Sequence, residues 1–466
     1  MKKTVRSLSL LLALSLLFGS LAFGASALPD DQWDAYWESM KDDNTLISLT
    51  PGSDETQMNF RWHSSHKAGC PVVNVSKNPN MANSVAHLGR MEASENADQR
   101  VNKVTVDGLE PDTVYYYTYR LENGYSQPVA FKTPPLGKVK FLFVSDIQCS
   151  GAGGDEEARL QSSRLWNRTL ETALNNNSDI DFIVAAGDNA NKGATEEWIA
   201  TLSPPVLRSL PMATVVGNHD MKTNIYSRYV NNPNVFHGTT PNHVGNSYWF
   251  TAGDVLFIML NTNKINMADH YLLIKEALLT NPNAKWRVAV MHHDIYGTRG
   301  HADIHRHTDA YLLQCGLGTL FDEYGFDMVL TGHDHVYGRS YYMKNNKNVD
   351  NPSYEDGKVT DPKGTIYFTA SAAAGKSRAM DEAASYPWLA YSFFDTEKGV
   401  DTYSTMEFTN FGCKINTFTA DDNEQVDSFE IIKTKHEYPQ PAPLWLYLIK
   451  MFMRIDLGVL FQSMAA

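Results

Sequence analysis

At 466 residues, 43% hydrophobic and 20% charged, the chain has a globular composition that excludes disorder, and it is too long for a single core, so two domains are expected. A formal charge of -13 argues against a surface that holds nucleic acid or anionic lipid by its charge. The four cysteines, Cys70, Cys149, Cys315 and Cys413, include no C-x-x-C pair, which leaves a thiolate zinc site without support but permits disulfides of undetermined pairing.

Residues 1–27 read as a secretory signal. Lys2, Lys3 and Arg6 open it, an apolar run extends from Leu8 to Phe23, and Ala25-Ser26-Ala27 offers a small-residue cleavage site. The expectation is an exported protein, secreted or held at the cell surface, whose formal charge moves from -13 to -16 when three bases and no acid are removed. Residues 28–44 form a lead segment. Residues 45–133 then read as an all-β module, with short strands at Met58–Trp62 and Val101–Val106 and a Tyr-rich strand after the turn at Pro111-Asp112. A tyrosine near the start of such a late strand can satisfy backbone at a sandwich corner. Phe131–Gly137, stiffened by Pro134 and Pro135, reads as a linker.

From Lys138 the period changes. Apolar runs KFLFV, DFIVAA, MATVV, VLFIML, WRVAVM and DMVLT alternate with longer polar stretches, and Leu160–Asn176 and Thr308–Tyr324 have helical apolar spacing. Buried strands alternating with helices imply an α/β layered domain, assigned to residues 138–420. The remainder, residues 421–466, contains a Pro-rich break at Tyr438–Pro443 and then an apolar run interrupted by Lys450, Arg454 and Asp456. Those charges argue against a membrane span. A helix packed on the body is expected there, with peripheral contact to a membrane or partner as the alternative.

The chemistry lies where the strands end. KFLFVS runs into Asp146 with Gln148 two positions on, DFIVAA into Gly187-Asp188-Asn189, and MATVV into Gly217-Asn218-His219-Asp220. WRVAVM runs into His292-His293, and DMVLT into Gly332-His333-Asp334-His335. In an α/β sheet ligands gather outside the carboxyl ends of the strands, so these five ends are expected to face one crevice. Any one of the five is a weak signal; all five in order are hard to obtain by accident.

The series D-x-Q, GD, GNHD, MHH and GHDH resembles the calcineurin-like metallophosphoesterase motifs. With the "GLEPDTVYYY" segment of the β module, the chain resembles the purple acid phosphatases over roughly residues 45–420. The resemblance implies an α/β catalytic domain of metallophosphoesterase type, a layered β-sheet sandwich flanked by helices, preceded by an all-β fibronectin type III-like sandwich. It also implies two metal ions, divalent or of mixed valence, drawn from Fe, Zn and Mn. Asp146, Asp188 and His335 would hold one; Asp188, Asn218, His292 and His333 would hold the other, with Asp188 bridging. Such N/O ligation excludes a soft copper or Fe–S centre.

Two positions depart from the family. Gln148 stands where a His is usual in the wider superfamily, and Asn191 where purple members have a ligating Tyr. The phenolate behind the purple colour is therefore missing, and Gln148 or Asn191 remains as a neutral amide candidate for the first metal. The implied reaction is hydrolysis of a phosphate monoester by in-line attack of a metal-bridging hydroxide, as in an acid phosphatase. His219 resembles the family histidine that contacts substrate phosphate and assists the leaving group, with Asp220 expected to orient its ring. His301, in the loop GTRGHADIHRH, is a candidate second phosphate contact or proton donor, while His305 and His307 read as solvated. Asn191, His219 and His301 form the expected substrate-binding set, and Tyr296 and Arg299 are candidate pocket residues. Ser371–Ser377 (SAAAGKS) lacks the first glycine of a P-loop and is not expected to bind a nucleoside triphosphate. A phosphodiesterase or nucleotide hydrolase with the same metals is the alternative reading, and a non-catalytic extracellular binding protein is a third.

Overall fold

Alternation along Met58–Ser65 sends Phe60 and Trp62 into one core and leaves the intervening side chains facing the other way. In the computed structural model, which describes residues 28–151, 153–239, 244–349, 357–380 and 386–465, this strand lies between Ser48–Pro51 and Gln99–Val106, with Arg90–Ala93 at the edge. A second sheet, built on Val72–Ser76 and Val114–Leu121, closes over it, and Phe60, Val73, Val104 and Tyr117 fill the gap. The Tyr115 hydroxyl accepts the Glu110 N–H at 2.9 Å, which satisfies the backbone where the chain turns into the Tyr-rich strand. The proposed signal segment lies outside the described residues.

Ser48–Pro51 is buried throughout, because its outer side meets the α/β domain rather than water. Ser48 Oγ donates to Tyr229 O at 3.1 Å and Thr50 Oγ1 to Asn231 O at 2.8 Å. Glu95 reaches across as well, accepting the Tyr229 hydroxyl at 2.7 Å and Thr195 Oγ1 at 3.1 Å.

The α/β domain packs two sheets face to face, each with seven strands among the described residues. In the first, Lys138–Val144, Phe182–Ala185 and Met212–Thr214 run parallel, and Thr402–Thr409 flanks them antiparallel. In the second, Val255–Leu260, Trp286–Met291, Met328–Thr331 and Ile366–Thr369 are parallel. Each central strand is covered on both sides, which explains its unbroken apolar sequence. Phe141 and Phe143 point between the sheets, where Phe141 meets Phe257 edge-on at 5.2 Å, while Leu142 and Val144 point outward under the helices. Helices α1 (Asp30–Met40), α2 (Glu156–Asn176) and α3 (Thr195–Leu202) cover the first sheet, where Trp33, Trp37, Trp166 and Trp198 are buried. Helices α4 (Met267–Thr280) and α5 (Thr308–Tyr324) cover the second. The four cysteines are unpaired, and Cys70 alone is exposed.

Asp181 shows the cost of entering this core. It accepts the Lys140 N–H at 2.9 Å, yet burial pushes its carboxyl up to about 6. A raised folded pKa means that the contribution to stability is full below the unfolded value of about 3.9 and is lost as pH rises through the folded one. Asp181→Asn keeps an acceptor for Lys140 and is expected to gain about 1–2 kcal/mol near pH 8 and nothing near pH 3.5. Urea denaturation at the two pH values reads the difference.

The last segment is two helices rather than one. α6 (Leu444–Phe452) and α7 (Leu457–Ala465) break at Met453, and Asp456 Oδ1 accepts the Gly458 N–H at 2.7 Å to start the second. Lys450 and Arg454 both turn toward α5: Lys450 pairs with Glu323, and Arg454 with Asp322 at 2.8 Å. No helix among the described residues is long and apolar enough to cross a membrane.

Candidate metal centre

Tight reversals follow the central strands, and backbone handedness aims their side chains. Asp146, Gln148, Asp188, His333 and His335 all lie at φ between 44° and 76°. That left-handed region costs a non-glycine residue roughly 1 kcal/mol or more, and it persists only where the surroundings enforce it. Here the reversals hold one another: Asp146 N–H donates to Gly187 O at 3.1 Å, Gln148 N–H to Asp188 O at 2.8 Å, and His333 N–H to Asp146 Oδ2 at 2.9 Å. Gly217 and Gly332 allow the close approach, since a methyl on the first would overlap Asp188 and one on the second Ser145 and Asp146.

Donor atoms of Asp146, Asp188 and His292 converge within 4.8 Å of one another, all three residues buried. A carbonyl can only accept, so His292 Nδ1 carries a proton and donates to Ala186 O at 2.9 Å. Its Nε2 is thereby aimed at Asn218 Oδ1, 3.0 Å away, and Asp188 Oδ2, 3.3 Å away. His335 repeats the pattern. Its Nδ1 donates to Lys376 O at 2.7 Å, and its Nε2 faces Asp146 Oδ1 at 3.3 Å. That oxygen is buried and accepts no hydrogen bond among the described residues. Two imidazoles pinned through Nδ1 to carbonyls, with Nε2 turned onto carboxylates, form the donor set a cation needs. The residues present fit a metal.

The electrostatics agree. Burial lowers the basicity of His292, but the charges of Asp188 and then Asp146 outweigh it and raise the ring to about 9. Asp188 itself, against the upward push of burial, is held below the ordinary carboxylate range by His292 and His219. Burial and the surrounding imidazoles hold His333 well below a normal histidine; its ring stands 4.9 Å from those of both His292 and His293. His293 points elsewhere through Nδ1, which meets Thr262 Oγ1 at 2.8 Å. The Gln148 amide lies against the same carboxylate, its Nε2 donating to Asp188 Oδ2 at 3.1 Å.

His219 sits at the rim. Its N–H donates to Asp188 Oδ1 at 2.8 Å, and its Nδ1 lies 2.6 Å from the backbone carbonyl of Asn191 and 2.9 Å from Lys222 Nζ, so Asn191 enters the site through its main chain. Asp220 does not orient this ring. Adjacent side chains diverge on the short helical turn that starts there, and the Asp220 carboxylate instead accepts N–H groups of Gly217 at 2.9 Å and of Asn189 and Ala190 at 3.1 Å. It ties two ligand-bearing loops together from below. Lys222, a cation that sequence reading passed over, also donates to Asn191 O, at 3.1 Å. Its signal was the spacing of three residues from His219.

His301 reaches the site from the opposite side. Its ring lies 4.3 Å from that of His333, half its side chain is exposed, and its Nδ1 meets Asp334 Oδ1 at 3.2 Å. Asp334, the residue between the two motif histidines, also accepts the Thr298 N–H at 2.7 Å. Burial would raise Asp334, but hydrogen bonds from His301, Asp294 and Arg299 hold it down, while burial and the Asp334 charge push Asp294 far up. Tyr296 is turned into the core, packed on Tyr367 at 4.7 Å, and does not line the pocket. Ser371–Ser377 borders the site through its backbone: Ala372 bridges Ser145, and Lys376 O holds His335.

Residues 139–337 match the model of the calcineurin-like phosphoesterase family, and residues 45–133 that of the purple acid phosphatase N-terminal domain. The chain carries a calcineurin-like phosphoesterase domain behind a purple acid phosphatase N-terminal domain. The calcineurin-like match ends just past His335 and so contains all five motif-bearing strand ends. Among curated relatives, an uncharacterised protein of Mycobacterium tuberculosis is 25% identical over 326 residues, covering 62% of this chain and 60% of that protein. Purple acid phosphatase 23 of Arabidopsis thaliana is 23% identical over 338 residues, covering 63% of this chain and 67% of its own. The fold is that of the purple acid phosphatase PPD1 from yellow lupin seeds, at a TM-score of 0.65 and 17% identity over 83% of this chain and 74% of the lupin chain.

Proposed function

We propose that the chain is an exported, acid phosphatase-like phosphomonoesterase that holds two metal ions and acts on small phosphate esters. The reading is supported by one observation above the rest: five strand ends deliver carboxylate, amide and imidazole donors to one crevice, with His292 and His335 each pinned by a carbonyl so that Nε2 faces a carboxylate. The proposed ligands are Asp146, Asp188 and His335 for one ion, and Asp188, Asn218, His292 and His333 for the other. Gln148 stands beside the shared Asp188. Imidazole with carboxylate oxygen suits Zn, Fe or Mn. Bound there, such ions lower the pKa of water toward neutrality and offset charge on a phosphoryl group.

The remaining work falls to side chains around the rim. With Nδ1 held between the Asn191 carbonyl and Lys222, His219 holds its Nε2 on the Asp188 side of the crevice, 3.9 Å from Oδ2, where it can pass a proton to a leaving oxygen. His301, anchored by Asp334, offers a second contact to phosphate from across the site. Asp220 keeps the loops of Asp188 and Asn218 in register. The sandwich over residues 45–133 braces the catalytic domain of residues 138–420, and the signal over residues 1–27 sends the protein out of the cytoplasm.

The test is hydrolysis of p-nitrophenyl phosphate and of its bis ester by protein stripped of metal and reloaded with Zn, Mn or Fe. Metal-dependent cleavage with a higher kcat/KM for the monoester is expected. The iron-loaded form is expected to lack the visible phenolate band, because Asn191 stands where a tyrosine would supply it. A preference for the diester would replace this reading with a phosphodiesterase. A folded protein that binds metal but cleaves neither would leave a binding protein.

A further inference from the structure

We propose that this chain forms a two-fold dimer through the outward face of α6 and α7. The two helices carry matching apolar stripes, each at i, i+4 and i+7: Trp445, Ile449 and Phe452 on α6, Leu457, Phe461 and Met464 on α7. These side chains are 49% to 67% exposed, and Met453 between the helices is 81% exposed. At roughly 200 Å² for a large apolar side chain, the face offers on the order of 900 Å². That is more than the roughly 300–600 Å² of the largest patch on a typical monomer. It equals the roughly 800 Å² that each partner contributes to a standard interface.

Charge distribution selects the occupant. An amphipathic helix normally turns its cations to water, but here Lys450 and Arg454 are committed inward to Glu323 and Asp322. Lys450, with 38% of its side chain exposed, and Arg454, with 11%, are both paired, and Asp456 caps α7, so closing the face desolvates no unpaired cation. The same arrangement disfavours a lipid surface. Helices that lie on membranes draw on free lysine and arginine at headgroup level, which this face lacks, and the chain as a whole carries a charge of -13. Aromatic and Met side chains at the centre are what protein interfaces concentrate. A face carried on two consecutive helices can pair with its own copy about a two-fold axis, α6 of one against α7 of the other.

Sedimentation equilibrium of the mature chain between about 0.1 and 10 μM tests this. The expected mass is twice that of one chain, and Trp445→Asp and Phe461→Asp are each expected to weaken self-association at least about 100-fold. Both sites are solvent-exposed in the single chain, so the melting temperature and circular dichroism of the variants are expected to match the parent. Val85→Asp, on an exposed strand of the sandwich, is expected to stay dimeric. A parent that is monomeric at 10 μM overturns the proposal. So does a dimer that persists in both α6 and α7 variants, which would place the interface elsewhere. A monomer that floats with phosphatidylcholine vesicles, and loses that property in the variants, would overturn it in favour of a bilayer.

Discussion

Asp188→Asn is expected to lower phosphomonoester kcat/KM on the order of 10³-fold, the largest effect of any single substitution in this protein. The amide keeps the shape of the carboxylate and can still accept the His219 N–H now held at 2.8 Å, so the turn survives. What disappears is the one negative charge placed between the two proposed ligand sets. A second measurement separates charge loss from misfolding. In metal-free protein His292 is raised to about 9 chiefly by Asp188, with burial acting against it. Without that charge the ring is expected to titrate far lower, by NMR of the imidazole, while the melting profile stays cooperative. Full activity in the variant would remove Asp188 from the centre of the mechanism.

Gly217→Ala comes next, with an expected loss of about 100-fold from the smallest possible change. The added methyl would overlap the backbone and carboxylate of Asp188, and neither can easily retreat. Asp188 is locked by the Gln148 N–H on its carbonyl at 2.8 Å, and Gly217 by its own N–H on Asp220 at 2.9 Å. The loops must separate, and a shift of about 1 Å in a reacting group is worth about 100-fold in rate. Overpacking of this kind costs about 1–3 kcal/mol in stability. The protein is therefore expected to remain folded at 25 °C, with kcat reduced more than KM is raised. A rise in KM alone would mean that the glycine serves substrate binding and not the geometry of the ligands.

The sequence was most legible where one residue's role is set by its own strand. An apolar run and then a metal-binding side chain mark each strand end, with a glycine between them at three of the five, and the helix read at Thr308–Tyr324 spans those residues in the structure. Roles that depend on a partner distant in sequence were not legible. Asp220 was read with its neighbour His219, whereas its acceptors serve Asn189 and Ala190, some thirty positions away. The hold of Asp334 on His301 spans 33 residues and appears only once the loop folds back over the strand end. The inward turn of Lys450 and Arg454 needs two acids on α5 that no local pattern announces. In each case a buried or half-buried charge took the nearest partner in space over the nearest in sequence, because leaving it unpaired costs more than any local preference.

Five left-handed residues set the positions of the site before any side chain is considered. Such a backbone acts as a socket with interchangeable pins. An exchange at a pin, as when Gln148 occupies the place of a histidine, alters the donor on offer and leaves the neighbouring pins where they were. The limit lies in the socket itself, at Gly217 and Gly332, where any side chain would meet the neighbouring loop.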